Sequence, residues 1–403
     1  MVKLGKEIKY WSQLFLLLIY GLSCLVPRDR KLWAFGSTFG RRFADNPRYL
    51  YLYLSQNKSP QLRVVWISKS RKIVKFLREN NLEAYYLYGF SGIWNSLRAG
   101  VYFYDNYSKD ISFVLSGRAL KINLWHGIPL KKIQKDNMFD SFRNPRGFWE
   151  WLYAIPRSIS DEKSSHYILT TSMFLKPIFA SAFRTRHVLV EGYPRNDVLL
   201  SKTIKNVLTL QELREFNKLQ LAKKKNRIIL YLPTFRDSEA ELFEIIDRTR
   251  LENFLNEEGY LFCVKLHPKS KQQELWKDWS HGRILLLDTV SDPYCFLPLA
   301  DALITDYSSI YFDFLLTKKP VVFFPYDYEE YLSRSRELYF CYEDFTPGPK
   351  VYNQKELEDA LRCLPAVGDK YESIANKVFD TQEPEASERL YDKVRMLLNI
   401  YQQ

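Results

Sequence analysis

Short, almost unbroken apolar runs recur along this chain, and each is followed by an amphipathic stretch. The first half contains KLWAFGS, RVVWIS, VYFYDN, KINLWHG, YILTTS and HVLVEG; the second contains RIILYLPT, LFCVKLHP, RILLLD, DALITD and PVVFFPY. A strand with one wet face alternates apolar and polar residues, whereas a strand covered on both faces does not. Doubly covered strands alternating with helical patterns, such as 272–278 and 309–316, specify parallel α/β sheets. The segment 200–226 breaks the alternation with a polar, Lys-rich helical pattern and reads as a connector. The 403 residues then divide into domains at 1–200 and 201–403, with a final helical segment, 387–403, free to pack back on the N-terminal domain. YILTTSMFLKPIFASAF and DALITDYSSIYFDFLL share a plan of strand, Ser/Thr-rich turn and helix, as two similar halves would.

The formal charge is +12, from 59 Lys and Arg against 47 Asp and Glu. Such a balance favours nucleic acid, anionic lipid or phosphate-rich substrates. No zinc-finger spacing, RNA-recognition signature or basic heptad region is present, so no nucleic-acid partner is expected. The five cysteines are scattered without a CxxC, which fits buried thiols in a reducing compartment. There is no GxGxxG ahead of a helix, no Walker A motif, no GxSxG elbow and no Asp-x-Asp. No cofactor and no metal site are expected, and a phosphate would be met by lysines, arginines and backbone amides.

Residues 10–27, YWSQLFLLLIYGLSCLVP, carry no charge and are flanked by Lys3, Lys6 and Lys9 before and Arg28, Arg30 and Lys31 after. A span needs ~20 mostly apolar residues, and this run contains Ser12, Gln13, Gly21 and Ser23. An interfacial helix, with Trp11, Leu14, Phe15 and Leu18 on one face, fits better than a span or an internal helix.

Candidate chemistry lies where apolar runs end. In ITDYSSIYFDFLL, Thr305 closes a strand and Asp306 and Ser308 are good helix caps; the turn either holds an anion, with the Ser308 and Ser309 hydroxyls as added donors, or merely caps the helix. LPTFRD presents Arg236, either to a phosphate or to Asp237 in a surface loop. CVKLHPKS presents Lys265, His267 and Lys269, and VEGYPRNDVL presents Arg195, Asn196 and Asp197. NLWHGIPLKKI sets His126 beside Gly127, Lys131 and Lys132; the histidine is a catalytic base or a core residue with basic neighbours. His166, entering a strand, reads as structural.

Taken in order, LWHGIPLKKI, GYPRNDVL, LPTFRD, DALITDYSSIYFDF and KPVVFFPYDYEEY resemble the blocks of the CDP-glycerol:glycerophosphate glycerophosphotransferases, the teichoic acid primases and polymerases. Ile128 stands where that family usually has threonine. The resemblance implies two Rossmann-like domains facing across a cleft, as in glycosyltransferase-B enzymes. It implies a CDP-glycerol or CDP-ribitol donor, a polyprenyl-diphosphate-linked acceptor, and peripheral placement at the cytoplasmic face of the membrane. It implies that His126 and His267 are catalytic. Arg236, Lys265, Thr305, Ser308, Ser309 and Asp313 would serve the donor; Gly127, Lys131, Lys132, Arg195 and Asn196 would serve the acceptor. Two rivals remain: an enzyme of the same fold using a nucleotide sugar, and a non-catalytic membrane protein that binds polyanions. Donor identity separates the first, and CMP release the second.

Overall fold

The structure, a computed structural model, describes residues 16–57, 61–140, 142–161, 165–201, 207–236, 240–270, 272–334, 337–364 and 366–400. The chain forms two compact units. The first comprises residues 1–126, 133–207 and 383–403; the second comprises 127–132 and 208–382.

The first unit is built on a seven-stranded sheet in which every pairing is parallel. Its strands are β1 (Asp29–Phe35), β2 (Arg63–Ser68), β3 (Ala84–Tyr86), β4 (Ala99–Tyr104), β5 (Leu120–Asn123), β6 (Tyr167–Thr170) and β7 (Val188–Val190). Their order is β3-β2-β1-β4-β5-β6-β7. All six residues of β4, AGVYFY, are buried, as expected of a central strand covered on both faces.

The second unit carries β8 (Arg227–Tyr231), β9 (Tyr260–Val264), β10 (Ile284–Leu286), β11 (Ala302–Thr305) and β12 (Val321–Phe323), all parallel, in the order β10-β9-β8-β11-β12. Its core gathers Ile229, Phe262, Trp276 and Ile304 with residues of the flanking helices. Both sheets therefore reverse their winding between the first and fourth strands, which is the doubly wound α/β plan and the fold class expected. Ligands in such sheets bind outside the carboxyl ends of the strands at the reversal point. That point is the loops after β1 and β4 in the first unit, and after β8 and β11 in the second.

The structure departs from the sequence reading in three places. β3 has only three residues and was not anticipated. The two echoing segments are β6 and β11, the sixth strand of one sheet and the fourth of the other, so they are not equivalent. The connector contributes a helix, Leu210–Ala222, closed by a capping box between Thr209 and Glu212, and its Glu212 and Glu215 are buried within the second unit.

The segment from Ala386 packs in the first unit. The Asp197 carboxylate accepts from the amides of Ala386 and Ser387, both at 2.9 Å, and from Ser387 Oγ at 2.6 Å. Of the N-terminal stretch, residues 1–15 lie outside the described residues and 16–23 are helical. Tyr20 stacks on Phe113 at 5.0 Å, and Ser23 Oγ accepts from the amide of Gly117. Leu18, Leu22 and Leu25 are exposed. No helix among the described residues is long and apolar enough to cross a membrane.

Candidate active site

His126 follows β5 at the carboxyl end of the first sheet. Trp125 before it has φ +52°, a left-handed backbone that a bulky residue adopts only under restraint. The restraint is visible: Asn123 Oδ1 accepts from the Trp125 amide at 2.8 Å, and Asn46 Nδ2 donates to the carbonyls of Leu124 and Trp125. The Trp125 indole packs edge-on against Phe183 and lies 3.9 Å from the His126 ring. The imidazole is exposed, which answers the alternative of a core histidine. Its Nδ1 is 3.0 Å from the Asp105 carbonyl. A carbonyl can only accept, so Nδ1 carries a proton and, in the neutral ring, Nε2 keeps its lone pair.

Beyond His126 the chain passes into the second unit. Ile128 and Leu130 are buried there, and the backbone from Leu130 to Lys132 pairs with 337–339. Lys131 Nζ donates to Tyr331 Oη at 2.8 Å, and Lys132 forms an ion pair with Glu337. Lys131 and Lys132, expected on the acceptor side of the N-terminal domain, thus belong to the second unit. Gly127, at φ +154°, is the residue at which the chain leaves one unit for the other.

At the reversal point of the second sheet, Arg236 is 8 % exposed and held by two carboxylates. Nη1 lies 2.7 Å from Asp306 Oδ2, and Nε and Nη2 engage both oxygens of Asp327. Tyr307, Tyr326 and Tyr331 present their rings to the guanidinium. Burial opposes the charge on Arg236, but Asp306 and Asp327 outweigh it and hold the guanidinium more basic than usual. Burial likewise opposes the charge on Asp306, and Arg236, the amide of Thr234 and Lys131 overcome it to keep that carboxyl below its ordinary range. The expected partner Asp237 lies outside the described residues. Arg236 is therefore a tie between the loops after β8, β11 and β12.

Thr305 is also spent internally, its hydroxyl donating to the Leu232 carbonyl at 2.6 Å. Asp313 is fully buried and accepts from Tyr294 Oη. Ser308 and Ser309 behave differently. Both are half-buried at the start of the helix Ile310–Leu315, Ser309 makes no capping bond, and neither hydroxyl has a partner among the described residues. Simple capping does not account for them.

Lys265 follows β9, is buried, and donates to the Asp288 carbonyl at 2.8 Å. His267, two residues on, is exposed against Phe235. Its Nδ1 accepts from the Lys269 amide at 3.2 Å, so a neutral His267 carries its proton on Nε2. The two histidines thus present opposite edges: a lone pair at His126 and an N–H at His267.

Arg195 and Asn196 are buried, at 2 % and 4 % exposure. Arg195 pairs with Asp45 at 2.7 Å, and its amide donates to Asn46 Oδ1. Their burial ties the loop after β7 to the helix Asp45–Asn57, and gives neither residue the open face expected of an acceptor-binding group.

Sequence reasoning missed Asp105 and Asp110 in the first unit and Asp327 in the second, and read Asp306 only as a helix cap, whereas these acids organise both reversal points. The signal was the pattern DNYS after β4 and DYSS after β11, which becomes meaningful once both are known to be fourth strands. Among the described residues no cluster of His, Cys, Asp and Glu could hold a metal ion.

The profile of the family described as CDP-glycerol:poly(glycerophosphate) glycerophosphotransferase matches residues 18–396. The chain is 30 % identical over 363 residues to the teichoic acid poly(glycerol phosphate) polymerase of Bacillus spizizenii, covering 85 % of this chain and 86 % of that protein. It is 29 % identical over 370 residues to the teichoic acid glycerol-phosphate transferase of Staphylococcus aureus, again covering 85 % and 86 %. A solved wall teichoic acid polymerase, TagF, superposes with a TM-score of 0.73 at 21 % identity over 100 % of both chains, which shows a shared fold of the expected glycosyltransferase-B-like kind.

Proposed function

This chain belongs to the CDP-glycerol:poly(glycerophosphate) glycerophosphotransferase family, and from that premise we propose that it moves glycerol phosphate from CDP-glycerol to a hydroxyl of a polyprenyl-diphosphate-linked acceptor, with release of CMP, in teichoic acid synthesis. Glycerol is preferred to ribitol because both relatives named above are glycerol-phosphate enzymes.

The observation that carries the reading is the exposed Nε2 lone pair of His126, fixed by the bond from Nδ1–H to the Asp105 carbonyl. An alcohol is a poor nucleophile at neutral pH, and a positioned base contributes ~10²–10⁴ in rate. In the proposed step Nε2 takes the proton as the acceptor oxygen bonds to the β-phosphorus. The bond from that phosphorus to the bridging oxygen breaks, and CMP leaves with the electron pair. Growing charge on the leaving phosphate is met by the Nε2–H of His267 and by the hydroxyls of Ser308 and Ser309. Lys265 and Lys131, packed within the same unit, add positive charge. Arg236, Thr305 and Asp313 act by holding the donor loops in place.

The acceptor is lipid-linked, so the protein is proposed to sit at the cytoplasmic face of the membrane. Support comes from the exposed Leu18, Leu22 and Leu25, and from a second exposed apolar group, Phe148, Trp149 and Trp151. The test is nucleotide release, CMP from CDP-glycerol or CDP-ribitol and UDP from a UDP-sugar, each with a polyprenyl-diphosphate-linked acceptor. Release from CDP-glycerol well above the other two is expected. Release only with the UDP-sugar would make the chain a glycosyltransferase, and release with none would make it a binding protein.

A further inference from the structure

The loop after β1, Gly36 to Gly40, plays no part in the reaction as described, yet its backbone is strained. Thr38, Phe39 and Gly40 have φ of +48°, +57° and +78°, three consecutive left-handed residues. Two carboxylates hold it. The Thr38 amide donates to Asp105 Oδ1 at 3.0 Å, the Phe39 amide donates to Asp110 Oδ1 at 2.6 Å, and Ser37 Oγ donates to Asp105 Oδ2 at 2.8 Å. Both acids are buried, at 2 % and 0 % exposure. Gly36 and Gly40 permit the approach, since a Cβ on either would come within 2.8 Å of the Asp110 carbonyl oxygen.

Asp110 also reaches the other way. Its Oδ2 accepts from the Asn106 amide at 2.8 Å and from the Asp105 amide at 3.2 Å. The Asn106 N–H and the Asp105 C=O belong to one peptide group, and that carbonyl takes the proton of His126 Nδ1. The sequence of contacts is a carboxyl group, a peptide N–H, its C=O and an imidazole N–H. It is an acid–histidine pair with a peptide bond inserted. Asn123 Nδ2 holds the next carbonyl, that of Asn106, at 2.9 Å and stops the peptide from rotating.

We propose that Asp110 is a positioning residue for His126, acting through the Asp105–Asn106 peptide to fix the imidazole as the Nδ1–H tautomer with Nε2 presented as base. The inference rests on the reading of His126 as the base. A carboxyl oxygen accepting on the N–H side polarises the peptide and makes its carbonyl a stronger acceptor. That favours the proton on Nδ1 and raises the basicity of Nε2. Burial, and then Asp105, push the Asp110 carboxyl well above the usual carboxylate range, while both of its oxygens accept from backbone amides.

The test uses the full chain with its histidines labelled with ¹⁵N, His126→Ala assigning the signal. The wild type should show neutral His126 as Nδ1–H. Asp110→Ala should move it toward the solution mixture, in which the Nε2–H form predominates. The same variant should lower kcat by about 10- to 100-fold, as losing the group behind a working histidine does elsewhere, with the KM for CDP-glycerol little changed. Asp110→Asn keeps an acceptor for the Asn106 amide and should fall between the two in both readouts. A folded Asp110→Ala whose His126 tautomer is unchanged overturns the proposal, whatever its activity. Should the alanine variant not fold, Asp110→Asn decides: a lowered His126 titration midpoint supports the proposal, and an unchanged midpoint with unchanged kcat overturns it. The base reading fails separately, if His126→Ala keeps its rate while Asp110→Ala still shifts the tautomer.

Discussion

Arg236 Nη1 lies 2.7 Å from Asp306 Oδ2 while its other nitrogens clasp Asp327. Arg236 and Asp306 are buried and Asp327 is partly so, and removing one partner of a buried pair leaves an uncompensated charge, at a cost of ~3–5 kcal/mol. Arg236→Ala should therefore cost that much stability in chemical denaturation, and Arg236→Lys should recover little, because one ammonium cannot engage both carboxylates as the fork does. If the alanine variant melts like the wild type but binds CDP-glycerol much more weakly, the arginine holds phosphate after all.

Ser308 and Ser309 should respond in the opposite manner. Neither hydroxyl caps the helix, so replacing both by Ala should leave the melting temperature unchanged. Each hydroxyl offered to a charged phosphate is worth ~1.5–3 kcal/mol, so the double variant should bind CDP-glycerol at least about tenfold more weakly. Calorimetric titration checks this, and unchanged donor affinity would remove both serines from the site.

His126→Ala should lower kcat by ~10²–10⁴ and leave CDP-glycerol affinity intact. The expectation follows from an exposed ring held in the first unit while the proposed donor groups lie in the second. Single-turnover CMP release beside equilibrium donor binding separates the two quantities. A variant retaining more than about a tenth of the rate would exclude general-base catalysis by this residue.

Lys121 is 3 % exposed, and burial pushes its pKa down to about 8. Unfolded lysine titrates near 10.4. Between about pH 8 and 10 the unfolded chain holds more protons at this site, so stability should rise with pH across that window. Below about pH 8 the full penalty of a buried ammonium is present. Its only hydrogen-bonding side chain among the described residues is Tyr20, at 3.5 Å. Lys121→Met should thus stabilise the protein at pH 7 by about 1–3 kcal/mol and flatten the rise. Urea denaturation at pH 7, 8, 9 and 9.5 reads both effects, and an unaltered slope would contradict them.

Strand runs were legible because doubly covered strands need continuous apolar residues, and that requirement acts locally. β3 was not, since three residues at a sheet edge carry too little pattern to stand out from their neighbours. Among candidate residues, His126 and the Ser308–Ser309 pair stood out because each follows an apolar run, where a parallel strand delivers its side chains to the ligand face. Arg236 was legible as an arginine at a strand end, but its partner was not: Asp327 is 91 residues away, and no local pattern predicts a pairing made by tertiary structure. The same holds for Arg195 with Asp45, 150 residues apart. Asp105 and Asp110 look like ordinary loop acids until the strand order shows that they stand at the reversal point.

The Asp197 carboxylate closes on Ser387 Oγ across 190 residues. During synthesis at ~5–20 residues per second, the first unit waits many seconds with this carboxylate unsatisfied while the second is made. The first unit to emerge is therefore the last to be finished, and nearly the whole second unit must be made before the segment that completes the first leaves the ribosome. A chaperone or protease meeting the nascent chain would find its vulnerable surface around Asp197, and a premature stop after residue 382 would cripple the unit at the beginning of the chain, leaving the neighbouring one whole.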